Sequence, residues 1–258
     1  MKNLKITGRA LIFIILLTLI VSIGRLQAEE VKTSGSASLD VMSNYVWRGQ
    51  KLSNSWVIQP SVAIGYGVFG ANIWANYDSD SIVDEGNGHG EFTETDITLS
   101  YTRSMDKWTF SAGYIYYALN NANDTQEIYL MVSYDTMLKP TLTIYYDFDE
   151  GNGAFITASI GHTIEVMKGI NWNIGVLASY NINNKVMGLD KDGEDFSNFY
   201  NAEASTSLNI PVWKNITLTP KLAYSLPLSN DAKEAIKTIS DDGDKNILYG
   251  GINLSLSF

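Results

Sequence analysis

Acidic side chains occur two residues apart in several stretches of this 258-residue chain. Glu94 and Asp96 form one such pair, and Asp147 and Asp149 form another. A spacing of two places both members on the same face of a β-strand. Carboxylates on the wall of a narrow passage create a negative field that attracts cations. The same groups can instead pair with bases in a structural network, and the sequence leaves both interpretations open.

The same alternation assigns further charged and aromatic side chains to that face. Arg48 follows Trp47 at the end of the first alternating segment, where we favour an ion pair with an opposing acid over a clamp on a solute. Trp74 and Tyr145 can line a path for sugars or nucleosides, or fill space, and filling space is the preferred interpretation. The candidate lumen-lining residues are Asp40, Arg48, Glu94, Asp96, Glu127, Asp147, Asp149, Glu203, Lys221, Trp74 and Tyr145.

Nucleophilic and metal-dependent chemistry have weak support. The chain has two histidines, His89 and His162, and the spacing of Ser159 to His162 does not place both on one strand face. Two acidic stretches, 78–85 and 190–195, lack the EF-hand pattern, so we interpret them as solvated loops. We therefore expect neither an enzyme nor a bound metal or cofactor.

Twelve segments alternate apolar residues with polar or small ones and are bounded by turn residues. No amphipathic helix is predicted. The pattern indicates an all-β chain of about 12 strands, with 10 or 14 as alternatives. The predicted strands are 36–47, 54–66, 68–78, 91–102, 107–117, 126–135, 140–149, 152–162, 170–181, 197–210, 214–226 and 246–258.

The connections between these segments alternate in length. Short ones lie at Gly67 and near Asp106 and Met137, whereas 183–195 and 229–245 are long, acidic and rich in Asp, Gly and Asn. This asymmetry is typical of a transmembrane antiparallel up-and-down β-barrel with long outer loops and short periplasmic turns. An even strand number then predicts that both termini are periplasmic.

The first 28 residues have the pattern of a secretory signal peptide, with basic residues, an apolar run over 10–23 and small residues near Ala28. We therefore predict a barrel domain over 29–258. Cysteine is absent, which excludes disulfides and thiolate chemistry. The formal net charge of −10 argues against nucleic acid as a partner.

Several stretches resemble the TorF-type porin family, a group of bacterial outer-membrane barrels of largely unknown function. The most specific are SNYVWRG at 43–49 and GANIWANYD at 70–78; ETDITLSY at 94–101, GYIYY at 113–117 and PTLTIYYDFDEGNGAF at 140–155 are more generic. Asn44 departs from the aspartate expected there, and Lys51-Leu52 replaces a more frequent Ser and Gln. The resemblance implies a porin without specifying its solute.

These observations predict a porin-like channel in the bacterial outer membrane for passive diffusion of small solutes, with a leaning towards cations. The alternative is a non-conducting barrel that has a structural role or binds a surface partner through its loops. An outer-membrane lipid hydrolase is a third, less favoured interpretation. The expected partners are outer-membrane lipid, small solutes and the barrel-assembly machinery, which would engage the last strand ending at Phe258.

Overall fold

The computed structural model describes residues 32–79, 90–120, 122–240 and 242–258. The predicted signal peptide and His89 lie outside the described residues. Residues 33–258 form one compact unit. Its strands are β1 (Thr33–Met42), β2 (Val46–Trp47), β3 (Gln50–Lys51), β4 (Val57–Tyr66), β5 (Phe69–Asp78), β6 (Glu91–Met105), β7 (Trp108–Leu119), β8 (Thr125–Tyr134), β9 (Thr141–Asp147), β10 (Gly153–Met167), β11 (Ile170–Ile182), β12 (Ser197–Trp213), β13 (Ile216–Pro227) and β14 (Ile247–Ser257).

β1 and β4 to β14 form a closed barrel, and each strand pairs antiparallel with its neighbours. Closure occurs where β1 pairs with β14, with Asp40 opposite Asn253. The predicted fold class and the count of twelve strands are confirmed for the part of the chain that the structure describes. Closure leaves the wall without a free edge, so every strand finds a hydrogen-bonding partner on both sides.

The barrel wall is apolar on its outside and polar on its inside. On β14, Leu248 is 63% exposed and Ile252 is 50% exposed. Asn253, between the exposed Ile252 and Leu254, faces inward and donates to Asp40 of β1. The alternation of apolar and polar residues along each strand therefore produces an apolar outer surface and a polar lumen. A soluble β-sandwich has the opposite arrangement, with an apolar interior and a polar surface.

Short turns lie at one end of the barrel and longer connections at the other. Two residues separate β4 from β5, β6 from β7, β10 from β11 and β12 from β13. The start of β1 and the end of β14 also lie at this end, where Gly35 and Phe258 exchange backbone hydrogen bonds of 2.8 and 2.9 Å. The segments 43–56, 183–196 and 228–246 lie at the opposite end.

The prediction of the first strand, 36–47, is wrong at its C-terminal end. β1 stops at Met42, and the chain then forms a separate two-stranded ribbon of β2 and β3, which we call the inner hairpin. Its two turn residues, Arg48 and Gly49, have φ values of 50° and 82°. Positive φ at both positions is the pattern of a type I′ turn, which matches the twist of a short hairpin.

A helix, α1 (Asn230–Ile239), lies between β13 and β14, where the sequence predicts only a loop. Ser229 caps it, because the Ser229 hydroxyl accepts from the amide of Ala232 at 3.1 Å. Ala232, Ala235 and Ile236 form a buried stripe. Among the described residues, no helix is long and apolar enough to cross a membrane.

We expect Gly251→Ala to weaken barrel closure. Gly251 of β14 lies opposite Met42 of β1, and a Cβ at Gly251 would lie 2.6 Å from Met42 Sδ and closer still to the Val41 carbonyl oxygen. The overpacked variant should lose about 1–3 kcal/mol of stability. Its folded band in unheated SDS electrophoresis should disappear at a lower temperature.

Gly175→Ala is the matched control, since a Cβ there would make an ordinary contact of 3.4 Å with Ser205 Oγ. Equal unfolding temperatures for the two variants would contradict the importance of this seam.

Candidate functional site

The inner hairpin is anchored to the inside of the barrel wall through Arg48. Its guanidinium donates to both carboxylate oxygens of Glu127 on β8, at 2.7 and 2.6 Å. The Tyr117 hydroxyl donates to the same carboxylate at 2.9 Å. The Arg48 Cζ atom also lies 4.4 Å from the ring centroids of Trp47 and Tyr145. Arg48 therefore has the ion pair expected of it, surrounded by aromatic rings.

This environment keeps Arg48 charged. Burial alone would lower its pKa, but the adjacent Glu127 carboxylate outweighs burial and holds the pKa of Arg48 above its ordinary value. The Glu127 side chain is fully buried and that of Arg48 is 10% exposed. Because both of its terminal nitrogens bind Glu127, Arg48 serves as an anchor for the hairpin.

The strand after the turn, β3, is tied to two of the long loops. The Gln50 side-chain amide donates to the carbonyl of Val186 and to the Tyr200 hydroxyl, each at 3.1 Å. Lys51 forms an ion pair with Asp242, which follows α1. These contacts hold the hairpin between the segments 183–196 and 228–246.

An apolar cluster fills part of the lumen at the loop end. Trp47 and Val46 of the hairpin pack against it. The buried members come from β10, β12, β14, α1 and the loop before β12, so they form a small core inside the barrel. They are Phe155, Met187, Phe196, Tyr200, Ala232, Ala235, Ile236 and Ile247.

Two cavities of about 330 Å³ each lie along the wall, and one of them is also lined by Val46 and Trp47 of the inner hairpin. We call them the hairpin cavity, which Tyr45 and Asp96 help to line, and the lower cavity, which Glu203 and Ser205 help to line. Met42, Lys221 and Tyr249 line both. The cavities are therefore neighbours along one side of the lumen.

Towards the short turns, the lumen wall carries uncharged hydroxyl and amide groups that pair across strands. Thr102 and Ser111 are 2.9 Å apart, and Thr163 donates to Asn173 at 2.8 Å. The charged candidates lie nearer the loop end. The interior thus combines a neutral, hydroxyl-lined half with a charged half that the inner hairpin crosses.

Several of the predicted carboxylates line the charged half. Asp40 pairs with Lys221. Asp147 is buried and accepts from the Thr125 hydroxyl at 2.7 Å. Glu203 accepts from the Tyr249 hydroxyl at 2.9 Å.

Glu94 and Asp96 lie on β6 beneath the hairpin. Glu94 is buried and binds the hydroxyl of Tyr45, which precedes β2. Burial, and then the negative charge of Glu94, raise the pKa of the Tyr45 hydroxyl well above its usual range. The Tyr45 hydroxyl therefore stays protonated and donates a hydrogen bond to Glu94.

Asp149 does not line the lumen, which corrects its assignment. β9 ends at Asp147, whose carboxylate accepts from the backbone amide of Asp149 at 2.9 Å and turns the chain. Asp149 is exposed and accepts from the Gln126 amide at 2.9 Å. Because the strand has ended, the alternation of faces no longer applies to this residue.

The two predicted aromatic candidates are both packed inside the barrel. The Trp74 ring lies 5.5 Å from the Tyr45 ring, and the Tyr145 ring lies 5.9 Å from the Tyr129 ring and against Arg48. Sequence analysis missed Tyr45, Gln50 and Tyr249. The aromatic-rich segment ending in Arg48-Gly49 is a turn signal that could have indicated the hairpin.

Ser159 and His162 lie on opposite faces of β10. Ser159 shares the inward face with Thr157, whereas His162 faces outward, with Nδ1 2.8 Å from the Met137 carbonyl oxygen. This pair is therefore not arranged for nucleophilic catalysis.

The fold resembles that of two solved porins. The NanC porin has a TM-score of 0.54 and 12% identity, covering 86% of this chain and 98% of that chain. The KdgM porin has a TM-score of 0.52 and 12% identity, covering 87% and 99%. No known protein-family profile and no curated protein matches the sequence. The chain thus has a porin-like barrel fold, and its membership of the TorF-type family stays a prediction.

We expect Glu127→Gln to release the inner hairpin while the barrel stays closed. The change leaves Arg48 buried without a counter-charge, which costs about 3–5 kcal/mol. Trypsin should then cleave the folded protein after Lys51, detected by mass spectrometry, whereas this bond should stay uncleaved in the wild type.

Asp149→Asn, which removes an exposed carboxylate, should remain protected. The double variant Arg48→Gln, Glu127→Gln should be cleaved more slowly than Glu127→Gln, since it leaves no unpaired charge. A Glu127→Gln protein as resistant as the wild type would show that other contacts hold the hairpin.

The Lys51–Asp242 pair should make the hairpin contact pH-dependent. The hydrogen bond from Lys51 lowers the pKa of Asp242. A carboxyl group whose pKa is lower in the folded than in the unfolded protein stabilises the folded state at pH values above the unfolded pKa of about 3.9. This stabilisation is lost as the pH falls through the pKa of the folded state. Carboxyl NMR in micelles should place the Asp242 pKa below that of an ordinary aspartate.

Lys51→Met should raise the Asp242 pKa towards the ordinary range, while the hydrogen bond from the Asp244 amide keeps part of the lowering. Lys191→Met, which removes a base paired with Asp192 elsewhere in the loops, should leave it unchanged. An unshifted Asp242 pKa in the wild type would contradict the contact.

Proposed function

We propose that this chain is an outer-membrane channel for the passive diffusion of small solutes and that it prefers cations. The observation that carries the proposal is the charge balance of the lumen. The two bases, Arg48 and Lys221, are each paired with an acid, Glu127 and Asp40. Among the described residues, no ion pair compensates the further lumen carboxyls Asp147 and Glu203.

The two halves of the lumen support passage in different ways. Hydroxyl and amide groups in the turn-side half give a solute hydrogen-bonding partners without a net charge. In the hairpin-side half the low-dielectric wall focuses the field of the unpaired carboxylates, which raises the local cation concentration and lowers that of anions. The inner hairpin narrows this half, which restricts passage to small solutes.

The apolar outer wall supports a place in the outer membrane. In that setting the short turns and both termini would be periplasmic, and the long loops would face outward. The last strand, ending at Phe258, would be the segment that the barrel-assembly machinery engages. Together with the sequence motifs, this arrangement agrees with a porin of the TorF type.

A second candidate function is a non-conducting barrel that binds a surface partner. The apolar cluster built from Met187, Phe196 and α1 favours it, because this cluster occupies lumen space at the loop end. An outer-membrane hydrolase has no comparable support, since Ser159 and His162 lie on opposite faces. We therefore propose no enzymatic activity.

The purified protein in a planar bilayer under a KCl gradient should conduct, with K⁺ more permeant than Cl⁻. Glu203→Gln should reduce this cation preference, because it removes a lumen carboxylate. Asp149→Asn is the matched control and should leave the reversal potential unchanged. Absent conductance would favour the non-conducting barrel, and a preference for Cl⁻ would overturn the charge argument.

A further inference from the structure

The hairpin cavity combines aromatic rings with a carboxylate. Tyr45 and Trp47 contribute rings from the hairpin side, and Trp74 and Tyr249 contribute them from β5 and β14. Tyr45 and Trp74 form a corner, with ring centroids 5.5 Å apart and planes inclined at 49°. The faces of such rings carry negative charge density, which attracts cations.

Asp96 supplies the acidic part of the cavity lining. Its carboxyl group is hydrogen-bonded to the Glu94 carboxyl, while its buried Oδ1 atom has no hydrogen-bond partner among the residues that the structure describes. Lys221 is the cation of the lining, and it is paired with Asp40. The short-range field inside the cavity is therefore set by four aromatic rings and by the Glu94–Asp96 carboxyl pair, which shares one proton and has no basic partner among the described residues.

The other polar groups of the lining are already engaged. Gln59 donates to Asn76 at 3.0 Å, Asn44 donates to the Ser53 carbonyl at 3.2 Å, and the Tyr249 hydroxyl donates to Glu203. A sugar, which needs several free donors and acceptors, would find few of them here. A calcium ion, which needs six to eight oxygen ligands, would also lack a coordination shell.

We propose that the hairpin cavity binds a small organic cation with a quaternary ammonium group. Such a group needs no hydrogen-bond partner, and it gains from aromatic faces and a nearby carboxylate. A volume of about 330 Å³ accommodates a small molecule of this kind. As the solute class of the channel, this inference rests on the proposed function, but binding itself does not require conduction.

Isothermal titration calorimetry of the detergent-solubilised barrel with choline tests the proposal. Choline should bind, and its neutral isostere 3,3-dimethyl-1-butanol should bind at least about fivefold more weakly, because it keeps the shape and loses the charge. Equal affinities for the two ligands, or no choline binding, would overturn the proposal whatever the conductance is.

Variants locate the site. The double variant Glu94→Gln, Asp96→Asn and the single variant Trp74→Leu should each weaken choline binding about fivefold or more, and Trp74→Phe should restore part of the loss by keeping a ring. Asp149→Asn should bind choline as the wild type does. Unheated SDS electrophoresis checks that each variant is a folded barrel. Full affinity in the folded double variant and in folded Trp74→Leu would place choline elsewhere.

Conduction and binding separate the two proposals. If the protein conducts cations but does not bind choline, the proposed function stands and the choline site is ruled out. If the protein binds choline as described but does not conduct, the site stands and the channel function is ruled out.

Discussion

Closure of the backbone hydrogen-bond ring is the constraint on which the rest of this molecule depends. A wall surrounded by hydrocarbon offers no water to a free amide or carbonyl, so the last strand must pair with the first. The β1–β14 seam provides this pairing along seven residue pairs from Ser36 to Met42. Once the ring is closed, a side-chain period of two determines which residues face out and which face in. The apolar wall, the polar lumen and the grouping of carboxylates all follow from that geometry.

Inside this ring, Arg48 determines how the loop end is organised. An arginine with positive φ is unusual. The following Gly49 also has positive φ, which completes the turn of the hairpin. Glu127 and three aromatic rings hold the Arg48 side chain. By placing its charge against Glu127, Arg48 neutralises one acid of the lumen and leaves others, such as Glu203, without a basic partner. The same residue thus positions the hairpin and leaves the field of the remaining carboxylates largely undiminished.

The barrel could be predicted from the sequence because its strands repeat a simple pattern, while the parts that depend on three-dimensional packing could not. Val46-Trp47 continues the alternation of β1, so the sequence alone does not reveal that the chain leaves the wall after Met42. Asp149 continues the alternation of β9 in the same way, although Asp147 turns the chain before it. The stripe of α1 is short, and it is buried only because the barrel encloses it. For Arg48, the sequence likewise predicted an ion pair with an acid of the lumen, but it did not identify Glu127 as that acid.

The inner hairpin also has a consequence for the order of assembly. It is synthesised before eleven of the twelve wall strands, yet its contacts with Glu127, Tyr200 and Asp242 join residues separated by 79, 150 and 191 positions. Contacts of such high sequence separation close large loops and form late. The closing contact between Asp40 and Asn253 spans 213 positions, more than any of these three. By this measure the hairpin docks before the ring closes, and the last strand completes a wall around a hairpin that is already in place.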